Sequence, residues 1–238
     1  MVWIWMTLIL VSCMHVDQVD TSNLSLPVVE LFTSEGCSSC PPADLVLKEL
    51  VENKSAICLS FHVDYWDRLG WKDPFSQAAF SERQREYSTH FKESSVYTPQ
   101  MIVNGQNVFV GSNRNALKSA LAAKYKDAPV LLEGIKLSKI GKITKIEVPV
   151  PLSYEGQNLC LATCIASAST SVKRGENNGK LLKHVQIVSD LQILKIGNEE
   201  KYTFESMPSD PASNWVVFIQ NAGSMHIVAA NFVAGSNN

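Results

Sequence analysis

Two cysteines, Cys37 and Cys40, stand two residues apart inside the run Val28-Val29-Glu30-Leu31-Phe32-Thr33-Ser34-Glu35-Gly36-Cys37-Ser38-Ser39-Cys40-Pro41-Pro42-Ala43-Asp44. An apolar segment leads in, Gly36 turns the chain, and a helical pattern follows. A thiolate just ahead of a helix is stabilised by the unpaired N–H groups and dipole of that helix. A second thiol one turn on can close or resolve a disulfide. The chemistry this predicts is thiol–disulfide exchange, with Cys37 attacking and Cys40 resolving. Two rival chemistries fit the same residues. The pair could form a purely structural disulfide in a non-catalytic interaction module. It could also hold a soft metal such as Cu(I) in a metallochaperone, with His62 as a third ligand. A structural zinc site has little support, because no second C-x-x-C accompanies the first.

The elements that must position these thiols follow from periodicity. Val28 to Thr33 reads as a strand buried on both faces. Cys40 to Glu52 reads as a helix with Leu45, Leu47, Leu50 and Val51 on its apolar stripe. Ser39 is its expected N-cap, which puts Pro42 at the last position that tolerates proline cheaply. Ala56 to Val63 is a second, parallel strand. Residues 64–96 form an insertion carrying a helix from Ala78 to Phe91. Gln100 to Val103 and Asn107 to Val110 form a hairpin around Asn104-Gly105. A helix from Arg114 to about Lys124 closes the unit.

A strand, a C-x-x-C and a helix in that order is the sequence form of a thioredoxin-like redox site. In thioredoxin-like folds a cis proline opens the third strand and faces the cysteines. Pro99 in Thr98-Pro99 holds that position and is expected to be cis, its flanking backbone forming a groove for an extended substrate. His62, at the end of the second strand, is a candidate proton shuttle. With Asp64 it could equally hold the insertion by hydrogen bonds. Glu30, in the first strand, is a candidate for proton movement near the thiols, although its spacing from Cys37 differs by one residue from the thioredoxin pattern. Trp66, Tyr65 and Trp71 read as core or lid aromatics. Cys58 reads as a buried thiol. Cys160 and Cys164 on one strand would lie about 13 Å apart, beyond the roughly 7 Å a disulfide spans. The run Arg174 to Gly179 reads as a glycine-rich turn, and His184 and His226 as structural.

Beyond Asp127-Ala128-Pro129 the hydrophobic period changes to two. Strand candidates lie at Ile135 to Leu137, Ile143 to Val148, Leu159 to Ala168, Leu181 to Ile196, Trp215 to Gln220 and His226 to Val233. The expected fold is therefore an α/β thioredoxin-like domain followed by a mostly antiparallel, sandwich-like β domain. The expected divisions are a leader and tether at 1–26, a redox domain at 27–126 with its insertion at 64–96, and a β-rich domain at 129–238.

Met1 to Val11 is almost entirely apolar. It is shorter than the roughly 20 residues that span a bilayer, and it suits an export signal. Leu10-Val11-Ser12-Cys13 resembles a lipobox, with Cys13 as the lipidated residue, although no Lys or Arg precedes the apolar run. The expected location is the periplasm or cell envelope, with a membrane anchor through that lipid. An oxidising compartment lets a C-x-x-C rest as a disulfide. The 238 residues carry a net charge of −2 without clustered Lys or Arg, which leaves nucleic-acid binding without an electrostatic footprint. The expected partners are protein thiols or disulfides, or a redox partner protein, and no cofactor is expected.

The segments VVELFTSEGCSSCPPAD (28–44), FHVDYWDRLGWKDPF (61–75), RQREY (83–87) and VYTPQMIVNG (96–105) resemble an uncharacterised family of exported bacterial proteins, domain of unknown function 1223. RGENNGKLLKH (174–184) and WVVFIQ (215–220) resemble its C-terminal half. The resemblance implies a thioredoxin-like domain with a C-terminal β extension and a redox-active cysteine pair. It names no reaction.

Overall fold

The run Val28–Thr33 forms strand β1, and all six of its residues are buried. In the computed structural model, which describes residues 25–123, 128–208 and 213–235, it is followed by helix α1 (Pro41–Glu52), β2 (Ile57–His62), α2 (Ala78–Phe91), β3 (Gln100–Val103), β4 (Asn107–Val110) and α3 (Arg114–Ala122). Then come β5 (Val130–Leu131), β6 (Lys136–Ile140), β7 (Ile143–Pro149), β8 (Asn158–Ser171), β9 (Leu181–Lys195), β10 (Lys201–Ser206), β11 (Ser213–Gln220) and β12 (Ile227–Val233).

The chain does not build an α/β thioredoxin-like domain with a separate β sandwich behind it. It is mostly β. One nine-stranded sheet runs β4-β3-β1-β2-β9-β8-β11-β12-β5, and β10-β7-β6 form a second sheet. The expectation fails at β2. Taken alone, the first half would leave β2 as a sheet edge with unpaired backbone groups. Instead β2 pairs in parallel with β9, placing Ser60 opposite Ile187. β9 then carries the sheet into the antiparallel ladders of β8, β11 and β12.

Both faces of the large sheet are covered. Odd positions of β1 (Val29, Leu31) pack with Ala43, Val46 and Leu47 of α1 and with Leu117 of α3. Even positions (Val28, Phe32) join Phe61 of β2, Phe80 and Tyr87 of α2, and Val216 and Phe218 of β11 in one core. That core draws on both halves because the sheet curls. At the β3–β4 turn, Asn104 Oδ1 accepts from the Val28 N–H at 2.7 Å. The Asn104 carbonyl accepts from the Ile227 N–H at 2.9 Å, beside the β11–β12 turn. Gly105 (φ +65°) is required there, because a Cβ would lie 2.1 Å from the Met225 carbonyl oxygen. The other face of β8 and β11 packs on the small sheet through Leu161, Trp215, Val217, Ile146 and Phe204.

Helix α1 starts one residue later than expected. Cys40, not Ser39, is its N-cap, and Pro41 and Pro42 fill the first two helical positions. Their missing N–H groups would have had no intrahelical acceptor there. Leu45, expected on the apolar stripe, is instead 52% exposed.

Candidate functional site

Cys37 and Cys40 are joined as a disulfide with their Cα atoms 5.5 Å apart. The loop is set by the Cys37 N–H donating to the Ser34 carbonyl at 3.1 Å and the Cys40 N–H to the Cys37 carbonyl at 3.3 Å. Gly36 is needed in this turn, since a Cβ would stand 2.9 Å from Trp66 Cβ. Ser38 and Ser39 are exposed, whereas neither cysteine has any exposed surface.

The cysteine loop is held by the turn between β8 and β9, more than 130 residues away in the chain. Asn177, itself fully buried, donates from Nδ2 to the carbonyls of Glu35 and Cys37, each at 2.9 Å. Its Oδ1 accepts from Lys180 Nζ at 2.9 Å. The Glu176 carboxylate accepts from the Ser38 N–H at 3.0 Å, and the Ser38 hydroxyl together with this N–H holds its pKa below the usual range. The long β8–β9 hairpin thus sets a polar turn against the backbone of the cysteine loop.

The Thr98–Pro99 peptide bond is cis. Its carbonyl side reaches the cysteine loop, where Ser39 Oγ donates to the Thr98 carbonyl at 3.5 Å. Thr98 Oγ1 accepts from Trp66 Nε1 at 2.8 Å. Pro99 packs against Gly111, where an added Cβ would lie 3.3 Å from Pro99 Cβ and 3.0 Å from Ala43 Cβ.

His62 faces the α1 side of the sheet, beside its parallel register partner Thr33. It is fully buried, with Nδ1 2.7 Å from Asp73 Oδ2. Burial pushes the Asp73 carboxyl up, but His62 and the backbone N–H groups of Glu35 and Phe75 outweigh it and hold the pKa down. With Asp73 ionised, His62 donates from Nδ1, leaving Nε2 as a buried atom without a partner. The His184 ring stands edge-on to His62, 4.7 Å between centroids. His184 Nε2 is 3.3 Å from Glu35 Oε1, and its Nδ1 is 3.7 Å from Asp44 Oδ2. These are ion-pair contacts without hydrogen-bond alignment. Glu35 Oε2 accepts from Trp71 Nε1 at 2.7 Å.

Five acidic or imidazole side chains therefore converge beneath the cysteine loop: Glu35, Asp44, His62, Asp73 and His184. Glu35 precedes Cys37 by two residues, and the Asp44 N–H donates to the Cys40 carbonyl at 3.1 Å. Among the described residues no group of three or more His, Cys, Asp or Glu is arranged to hold a metal ion, so Cys37, Cys40 and His62 are not brought together as ligands.

Glu30 lies on the opposite face of β1, away from α1. Its Oε1 accepts from Arg83 Nε at 2.8 Å, and its Oε2 accepts from the Tyr87 hydroxyl. Arg83 also donates to Gln220 Oε1 at 3.2 Å, and its guanidinium lies between the rings of Phe61 and Phe218 at 5.5 and 5.7 Å. Burial disfavours a charge on Arg83, and Glu30 more than restores it. Glu30 thus belongs to an ion pair locking α2 to both halves of the sheet, not to the cysteine loop.

Asn177, Glu176, His184, Glu35, Asp44 and Asp73 were not singled out from the sequence as site residues. The available signal was the dense polar run from Arg174 to His184 within an otherwise β-patterned half. Cys58, Cys160 and Cys164 are free and buried. Burial raises the Cys58 thiol to about 12. Cys13 and the apolar leader lie outside the described residues.

A protein of Agrobacterium tumefaciens with a known crystal structure is similar over 90% of this chain and 96% of that one, at 28% identity and a TM-score of 0.71. HBP35 of Porphyromonas gingivalis shares the fold at 15% identity and a TM-score of 0.56, over 90% of this chain and 76% of that one. No curated protein matches the chain. The profile of the family described as "Protein of unknown function (DUF1223)" matches residues 28–220.

Proposed function

The chain belongs to the DUF1223 family, and from that premise we propose that it is an exported thiol–disulfide exchange protein whose reacting pair is Cys37 and Cys40. The observation that carries this reading is where the disulfide lies. Cys40 is the N-cap of α1, and the loop between the cysteines exposes Ser38 and Ser39, with Ser39 Oγ donating to the Thr98 carbonyl. A disulfide spanning only three positions is a weak staple. Chain entropy gives a loop this short about 2 kcal/mol, against nearly 5 kcal/mol for a loop of about 100 residues. Position at a helix N-terminus favours thiolate formation instead.

In the exchange, a partner's thiolate attacks Cys37 Sγ. The Cys37–Cys40 bond breaks, its electron pair leaves on Cys40 Sγ, and a mixed disulfide joins Cys37 to the partner. Attack by Cys40 on Cys37 Sγ reverses the step. Attack by a second partner thiolate on the partner's sulfur releases the partner oxidised and leaves both cysteines reduced. Thr98, whose carbonyl lies against Ser39 of the cysteine loop, offers the backbone to an extended partner segment, since the Pro99 carbonyl already accepts from the Gly111 N–H. Export rests on the apolar leader, and membrane attachment on the lipobox-like Cys13. The test is a full-length Cys40→Ser variant in an export-competent host. Mixed disulfides through Cys37 should accumulate on non-reducing gels and vanish when Cys37 is also replaced by Ser. A lack of adducts in the single variant would overturn the reading.

A further inference from the structure

Seven buried side-chain polar atoms among the described residues have no hydrogen-bond partner. Five of them meet in one place: Thr33 Oγ1, Glu35 Oε1, His62 Nε2, and His184 Nδ1 and Nε2, where Glu35 Oε1 and His184 Nε2 face each other at 3.3 Å and His184 Nδ1 faces Asp44 at 3.7 Å without aligned bonds. Buried polar atoms are nearly always satisfied, because leaving one unmade costs about 1–3 kcal/mol. What gathers here is a set of acidic and imidazole groups able to exchange protons, with Glu35 two residues before Cys37 and Asp44 bonded by its N–H to the Cys40 carbonyl.

The cluster has a door. Asp44 lines a surface pocket of about 220 Å³ on the α1–β9 side, bounded by Pro41, Leu45 and Leu182 and by the charged side chains of Lys48 and Lys183. Asp44 is 8% exposed and within 3.7 Å of His184 Nδ1. From solvent the order is therefore Asp44, His184, Glu35. Glu35 and Cys37 are tied through their carbonyls to the same Asn177 amide.

We propose that His184 is a proton-holding positioning residue for the cysteine pair, refilled from solvent through Asp44. It deepens the thiol–disulfide reading and rests on it. When a thiolate attacks Cys37 Sγ and the electron pair leaves on Cys40 Sγ, the proton that neutralises Cys40 is supplied from His184 through the cluster. Solvent then returns one proton to His184 by way of Asp44. In the oxidising direction the same path carries the proton of the Cys40 thiol outward. The groups facing His184 are Glu35 ahead of Cys37, Asp44 on α1, His62 on β2, and Asp73 with the Thr33 hydroxyl around them. Burial works against a charge on His184, and the nearby Glu35, Asp44 and Asp73 carboxylates outweigh it, so its ring holds a proton more tightly than a free histidine. Burial also pushes the Asp44 carboxyl up, against the pull of both histidines, which suits a group that passes protons.

The test measures reduction of the disulfide by dithiothreitol in the full-length protein across pH, with rates divided by the thiolate content of the reagent. The native rate should fall as pH rises through the His184 titration. His184→Gln and Asp44→Asn should each be slower by about 100-fold at low pH, the usual scale of a lost general acid, and should lose that inflection. An inflection retained in His184→Gln would overturn the proposal. If either variant does not fold, imidazole nitrogen spectra of the native protein decide. The His184 titration should move upward when the disulfide is reduced, and an identical titration in both states would overturn the proposal. Because dithiothreitol replaces a protein partner, absence of mixed disulfides in Cys40→Ser would refute the exchange function without altering this measurement.

Discussion

Replacing Asn177 by Ala tests whether the β8–β9 turn governs access to the cysteines. The side chain makes two hydrogen bonds of 2.9 Å to the carbonyls of Glu35 and Cys37, and it is fully buried. Each such bond contributes about 1 kcal/mol net, and a carbonyl left buried without a partner costs more. Losing both should weaken closure of the turn by about 2 kcal/mol or more. At about 1.4 kcal/mol per tenfold, that raises the population with the cysteines uncovered by about 30-fold. The assay is the rate at which dithiothreitol reduces the disulfide at fixed pH, read beside the urea unfolding midpoint. Reduction should accelerate by about 30-fold while remaining far faster than global unfolding. Glu176→Gln, which weakens only the exposed contact to the Ser38 N–H, should accelerate it less. An Asn177→Ala rate equal to native, or one that tracks global unfolding, would refute the idea that this turn is the cover.

Other consequences can be checked independently. Arg83→Met should cost about 3–5 kcal/mol in urea unfolding, because it strands the Glu30 carboxylate in the core, and adding Glu30→Leu should recover most of the loss. His184, whose folded pKa is raised from 6.5, contributes stability that is complete below about pH 6.5 and lost as pH rises through its folded value. Asp73, lowered from 3.8, contributes stability present above that value and lost as pH falls through its folded pKa. Urea midpoints across pH should therefore decline on both the acid and the alkaline side, and His184→Gln should abolish the alkaline decline. Mass spectrometry of the mature N-terminus should find a diacylglyceryl-modified Cys13, and an unmodified terminus would remove the membrane anchor.

Where pattern and turn chemistry are local, the chain was legible. Val28–Thr33, Ala78–Phe91 and the hairpin around Asn104-Gly105 have the bounds their periodicity predicts, and Thr98–Pro99 is cis as its place before β3 suggests. What the sequence hid is long-range. Nothing in Ile57–His62 says that its free edge will be taken by β9, so the halves read as separate folds. The same blindness kept Asn177 apart from the cysteine loop, and His184 apart from Glu35 and Asp44. Glu30 shows a different limit. A strand buried on both faces offers no polar side to count from, and only the partners Arg83 and Tyr87 reveal that Glu30 points away from α1. Cys37, read from the sequence as the attacking cysteine, is fully buried, and no local pattern signals the turn that binds its carbonyl.

The most direct test of the central claim is the reduction potential of the Cys37–Cys40 pair in the intact protein, equilibrated with glutathione or dithiothreitol buffers and read by thiol alkylation. An exchange protein should have a potential above about −300 mV, within the range where disulfides trade with cellular thiols. A potential well below that value would make the bond a structural one and contradict the account.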